Sequence, residues 1–143
     1  LYAPGHSGVR NEPIIGMTRL QKELFLFQKR IVDLKIKYKY SFRPYKLGPY
    51  SKDLYDDIEF LISKGIIKKE IKTSPRKGIY SIFKLTLKGQ KIAKEFLERP
   101  EFQKAFQIAS EVKRRYNKMD LTELVEFTHR EFPDYLKRTE TQA

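Results

Sequence analysis

The stretch SKDLYDDIEFLISKGIIKKEIKTSPRKGIYSIFKLTLKG, residues 51–89, decides the fold. Ser51 is a favourable helix N-cap, and Leu54, Ile58, Leu61 and Ile62 recur at helical spacing behind it, predicting a helix over 51–64. Gly65 sits where a left-handed terminator is expected. Ile66 to Ile71 and Ile79 to Leu85 are rich in β-branched and aromatic residues. The turn 73–78 between them, TSPRKG, carries the Pro and Gly that bend a hairpin. Thr86 then caps a helix over 86–98 bearing Leu87, Ile92, Ala93, Phe96 and Leu97, which Pro100 stops.

Helix, strand, charged turn, strand, helix is the order of the back half of a winged helix-turn-helix. The regions outside that unit are helical too. Leu20, Leu24, Phe27, Ile31 and Leu34 form one stripe, predicting a helix over 18–33 with Thr18 as its cap. Phe102, Phe106, Ala109, Val112 and Tyr116 predict a helix over 101–117. Asp120 and Glu123 make a capping box for a last helix over 120–131, ended by Pro133. The fold expected is therefore α+β and mainly helical, a winged helix-turn-helix with two additional C-terminal helices. Residues 1–98 would form the winged-helix domain and 99–143 the helical extension, with a loose tail from 138. Leu1-Tyr2-Ala3 looks like the end of a first helix cut short. Between the first two helices, Ile36, Tyr38, Tyr40 and Phe42 alternate with Lys35, Lys37, Lys39 and Ser41. That pattern fits a frayed helix end or a short strand, with strand favoured near 40–42, before a rigid loop at Arg43-Pro44 and Leu47-Gly48-Pro49.

The chain has 143 residues, 40% hydrophobic and 13% aromatic, enough for one domain with a core of its own. No cysteine is present, which excludes disulfides and thiolate metal sites and suits a reducing cytoplasm, the compartment expected here. No apolar run is long enough to span a bilayer, and no basic leader with an apolar block opens the chain. Lys and Arg number 30 against 18 acids, a formal net charge of +12. Such an excess attracts polyanions. The competing explanation is a Lys-rich surface suited to high temperature.

Catalytic signatures are missing. The two histidines, His6 and His129, have no metal-site spacing, and neither a nucleophile elbow nor a phosphate loop occurs. Asp53, Asp56, Asp57 and Glu59 read as a solvated helix face rather than a Mg²⁺ site. The expectation is a non-enzyme without cofactor or metal.

Two segments carry the binding signal. Residues 35–46 hold Lys35, Lys37, Lys39, Arg43 and Lys46 with no acid, interleaved with Tyr38, Tyr40, Phe42 and Tyr45. The rings are expected in the core and the cations outside. Residues 68–77 hold Lys68, Lys69, Lys72, Arg76 and Lys77 against Glu70 alone. A hairpin tip so charged can follow a phosphate backbone, although lysines also protect sheet edges from aggregation. The 51–64 helix, in the recognition position, argues the other way. Its four acids against Lys52 and Lys64 are unfavourable near phosphates, leaving only its first turn, Ser51, Lys52 and Tyr55, suited to contact.

Leu61-x-x-x-Gly65-Ile66-Ile67 followed by Tyr80…Leu85-Thr86-x-x-Gly89 resembles a pattern of winged-helix transcription regulators. Thr18-Arg19-Leu20-Gln21-Lys22 with Phe25-Leu26, and Phe42 to Ser51 (FRPYKLGPYS), resemble the YwgA-type family of prokaryotic winged helices. More distantly, the Tyr-x-x-Gly-Pro loop before a helix is similar to the Panacea (SocA-like) antitoxin domain. The first likeness implies DNA binding by the Ser51 helix and the hairpin, and the second implies recognition of a partner protein.

The leading expectation is an archaeal or other prokaryotic transcription regulator, homodimeric, holding double-stranded DNA mainly by its backbone. Arg43, Lys46, Ser51, Lys52, Tyr55, Lys68, Lys69, Lys72, Arg76 and Lys77 would make the contacts. The alternative is an antitoxin or adaptor binding a protein through the acidic 51–64 helix and the Gly-Pro loop. No membrane partner is expected.

Overall fold

The computed structural model describes residues 1–32, 34 and 39–136. Lys35, Lys37 and Tyr38 of the first basic segment, and the tail from 138, lie outside the described residues. The chain runs β1 (Ile14–Ile15), α1 (Met17–Arg30), β2 (Arg43–Tyr45), β3 (Gly48–Tyr50) and α2 (Lys52–Ser63). The hairpin β4 (Ile67–Ser74) and β5 (Gly78–Leu85) follows, then α3 (Leu87–Leu97), α4 (Pro100–Tyr116) and α5 (Leu121–Glu131), with a 3-10 turn at Pro133–Tyr135. Among the described residues it is an α+β arrangement of five helices with small antiparallel sheets.

The 51–89 unit forms close to expectation. The Ser51 hydroxyl accepts the Leu54 amide at 3.2 Å, and Gly65 closes α2 at φ 70°. The β4–β5 ladder runs from Ile67↔Leu85 to Ser74↔Gly78, leaving Pro75, Arg76 and Lys77 as the turn. Thr86 caps α3 by accepting the Gly89 amide at 3.0 Å. A Cβ on Gly89 would fall 2.2 Å from the Ile66 carbonyl oxygen, so only glycine lets α3 press this closely on the entry to β4.

Other expectations are corrected. Leu1, Tyr2 and Ala3 are not helical. Tyr2 and Ala3 are buried against α4, where the Lys113 ammonium donates to the carbonyls of Leu1, Ala3 and Glu12. The short β1 was not foreseen; it joins the sheet in the order β1-β5-β4, with Ile14 opposite Phe83. Beside it the Asn11 side chain clasps the Leu85 backbone, donating to its carbonyl and accepting its amide. α1 begins at Met17 after Gly16, not at a Thr18 cap. Asp120 precedes α5 but makes no side-chain cap bond, so the expected box with Glu123 does not form. The strand favoured near 40–42 falls instead at Arg43–Tyr45, paired with Gly48–Tyr50. Tyr40 gets strand-like partners from a side chain: Gln28 accepts its amide and donates to its carbonyl, at 2.8 and 2.7 Å.

Two apolar clusters share α1. One joins Leu20 to Ile14, Leu54, Ile58, Ile67 and Phe83 from the sheet and α2. The other joins Phe25 and Leu26 to Val112, Tyr116 and Leu124 of α4 and α5. The two C-terminal helices thus pack on α1. Enclosed on both sides, α1 buries Arg19, Gln21, Lys22 and Glu23 with its apolar residues, which a single stripe does not predict.

Gln21 ties α1 to the start of α2. Its carbonyl accepts the Ser51 amide at 2.8 Å and its amide donates to the Ser51 carbonyl at 2.9 Å, all buried. Gln21→Ala orphans the buried Ser51 amide and leaves the Ser51 carbonyl with the Tyr55 amide alone, at 3.2 Å, a loss of about 1–3 kcal/mol. Urea unfolding should show a lower midpoint with an unchanged m-value.

Candidate nucleic-acid interface

The register sorts the hairpin's side chains onto two faces, since paired residues project to the same side. Lys68↔Lys84, Glu70↔Ile82 and Lys72↔Tyr80 share one face; Ile67↔Leu85, Lys69↔Phe83, Ile71↔Ser81 and Thr73↔Ile79 share the other. On the first, Glu70 is ringed by lysines: Lys68 at 3.1 Å, Lys84 at 3.4 Å and Lys72 at 3.7 Å. Hydrogen bonds from Lys68 and Lys84 hold its carboxyl below the usual range. Lys77 reaches back over the Tyr80 ring of this face at 5.2 Å, and Arg76 stands exposed at the tip. Lys69 lies on the opposite face over Phe83 at 6.0 Å. Beyond it that face turns apolar and open, with Ile71 61% and Ile79 78% exposed. The residue types predicted the charge but not this apolar flank, which becomes visible only from the ladder register.

The second group gathers at the start of α2. Arg43 and Lys52 meet round a cavity of about 460 Å³ whose other walls are Ser41, Pro44, Tyr45, Tyr50 and Asp53. The Tyr45 and Tyr50 rings lean on each other with centroids 5.1 Å apart. Lys46 is exposed in the β2–β3 turn, and Tyr55 is exposed on α2. Ser51 departs from its expected role. It is 1% exposed, its hydroxyl is committed to the cap and its backbone to Gln21, so it is a structural residue. Lys52 is paired with Asp56 at 2.9 Å. Tyr40 and Phe42 are turned inward as expected: the Tyr40 hydroxyl donates to Asp57 at 2.7 Å, and Phe42 meets Phe25 edge-on at 5.2 Å. Tyr45 is outside, at 49% exposed.

The two basic groups belong to opposite ends of α2. Arg43 and Lys52 stand at its amino-terminal end, and the hairpin leaves from its carboxyl-terminal end, about 18 Å away for a twelve-residue helix. The surface between them presents Asp53, Asp56, Glu59 and Phe60, the last 57% exposed.

A third set of charges, not singled out from the sequence, lies inside. Arg19 donates to the Tyr116 carbonyl at 3.0 Å. Glu23 has both carboxyl oxygens buried without a hydrogen bond, and burial raises its pKa to about 8 against the pull of Lys113 and Arg19. Burial lowers Lys113 and Lys22 to about 8. Nothing in the spacing of TRLQKELF separates these side chains from an ordinary solvated face. Among the described residues no group of His, Asp and Glu converges as metal ligands, and no helix is long and apolar enough to cross a membrane. Comparison with protein-family models, curated proteins and solved structures gives no match, so the functional reading rests on this chain's own geometry.

Glu23 sets a pH dependence. Its folded pKa lies above the unfolded value near 4.5, so the folded state holds a proton that the unfolded state releases. The associated stability is complete below about 4.5 and is lost as pH rises to about 8. Glu23→Gln removes that loss. The stability of the variant relative to the wild type should climb through this window by on the order of a few kcal/mol, read from urea midpoints at successive pH values.

Proposed function

We propose that the chain is a winged-helix nucleic-acid-binding module that grips double-stranded DNA by its backbone through the β4–β5 hairpin. The element order supports this reading: α1, then α2, then a two-stranded wing with β1 as the third strand. The single observation that carries it is the exposed wing, where Lys68, Lys72, Lys84, Arg76 and Lys77 outnumber their one acid, Glu70. The outward acids of α2 oppose insertion of that helix into a groove, so contacts should be phosphate contacts with little base readout. Arg43, Lys46 and Lys52 would extend the grip if the duplex spans the length of α2. A regulator of transcription acting as a homodimer is the role most compatible with such a module.

A second reading has its own support. Tyr45, Leu47, Tyr55 and Phe60 are exposed around the acidic face of α2, a composition suited to a protein partner carrying basic and apolar groups.

Fluorescence anisotropy with an arbitrary duplex tests the first reading. Each neutralised phosphate should weaken binding about 3–4-fold for a fourfold rise in salt. Arg76→Glu with Lys77→Glu should lower affinity by on the order of tenfold or more on every sequence and flatten that salt slope. Glu70→Gln should strengthen binding. Unchanged affinity in the double charge reversal refutes the wing reading. Absence of any duplex binding at low salt, with a basic protein partner bound through α2, establishes the second.

A further inference from the structure

Lys22 is the largest fully buried side chain among the described residues, 1% exposed, and its ammonium, which keeps a trace of solvent contact, makes no hydrogen bond or ion pair there. An ammonium withdrawn from water without a counter-charge is costly, and such groups are ordinarily neutralised by a carboxylate or by several carbonyls. Lys113, on the far side of the same core, shows the ordinary solution, with three carbonyls on its ammonium. Lys22 has none.

Lys22 lines a cavity of about 100 Å³ together with Met17, Gln21, Leu47, Gly48 and Pro49, under a rim of Tyr45 and Tyr50. Gly48, at φ 102°, forms the wall nearest the ammonium: a Cβ there would lie 3.4 Å from Lys22 Nζ and 3.2 Å from Thr128 Oγ1. Glycine at this position leaves the space beside the ammonium unfilled. Behind the same wall is a second unpartnered group, the His129 ring, with a buried, unbonded Nε2 and its Cδ2 3.6 Å from the same point.

We propose that this recess is a carboxylate-binding pocket, in which a monocarboxylate enters end-on beside the stacked Tyr45 and Tyr50 rings and pairs with the Lys22 ammonium. Size and lining select the anion. The cavity has room for a handful of heavy atoms, and its walls are largely apolar. A carboxylate on a single stem fits such a slot. A phosphodiester brings two bulky arms that cannot follow it, and a phosphate dianion would find one cation for its several oxygens. Carboxylates of this kind come from small free acids or from the chain end or acidic side chain of another protein. The pocket is independent of the wing, and its test does not depend on DNA binding.

The probe is acetate, titrated at constant ionic strength against chloride, with inorganic phosphate as a further arm. The reporters are the Gly48 amide and the His129 ring protons, readily assigned because His6 is the only other histidine. Acetate should give saturable shifts at both, chloride and phosphate should give none, and Lys22→Met should weaken acetate at least tenfold. Lys22→Met matches the volume and removes a desolvated charge, so it should fold at least as well as the wild type; Lys22→Gln serves if it does not. A short peptide with a free C-terminal carboxylate, beside its amide, distinguishes the sources. Tighter binding than acetate by the acid peptide alone assigns a protein chain end, and acetate binding without peptide binding assigns a small solute. Absence of a saturable acetate shift in the wild type, an equal response to chloride, or undiminished acetate affinity in both variants overturns the proposal.

Discussion

The constraint on which the rest depends is the enclosure of α1. A helix with the sequence MTRLQKELFLFQKR cannot be buried on two sides unless its polar groups find partners inside. Two do so through backbone: Arg19 on the Tyr116 carbonyl and Gln21 on both backbone groups of Ser51. These bonds are long-range and fix α4 and α2 relative to α1 in a way that apolar contact alone does not. The sheet core and the C-terminal helical core are consequently set about one axis. Glu23 is left with both carboxyl oxygens unbonded and is favoured in its neutral form by burial, while Lys22 lines a recess.

The β4–β5 hairpin and α2 pull in different directions electrostatically. The hairpin concentrates lysines about a single carboxylate, whereas the outward face of the helix before it is acidic and partly aromatic. A polyanion is attracted to one and repelled by the other, which limits how it can lie on the molecule. Contact through the hairpin with α2 held away from the groove satisfies both signs. Such contact provides affinity and orientation but little discrimination between sequences.

The unit 51–89 was legible because its signals are local. Ser51, Gly65, the Pro75–Gly78 turn and Thr86 each act through backbone a few residues away, and each did what its residue type dictates. The first segment was not legible, because its structure depends on partners about a hundred residues distant. Tyr2 and Ala3 are held out of helix where Lys113 and Ser110 of α4 claim the carbonyls of Leu1, Ala3 and Pro4. The same distance hid the buried charges of α1, whose spacing is that of a solvated face. Of the candidate contact residues, Ser51 shows the limit most plainly. A cap residue is a good local inference, yet its burial follows from Gln21, thirty positions earlier. Residue types likewise gave the charge of the hairpin, while the separation of Lys69 from Lys68 and Lys72 needed the ladder register.

Among the described residues the sheet ends on one side at β4, whose outer edge pairs with no further strand. A bare strand of eight residues is a template for a second copy of the chain. Two such rims laid side by side would bring Lys68, Lys69 and Lys72 against their own counterparts, and like charge holds them apart. Salt screens that repulsion as surely as it screens attraction to phosphates. A rise in ionic strength would therefore lower the barrier to rim-to-rim stacking, and dilute buffer would favour separate chains.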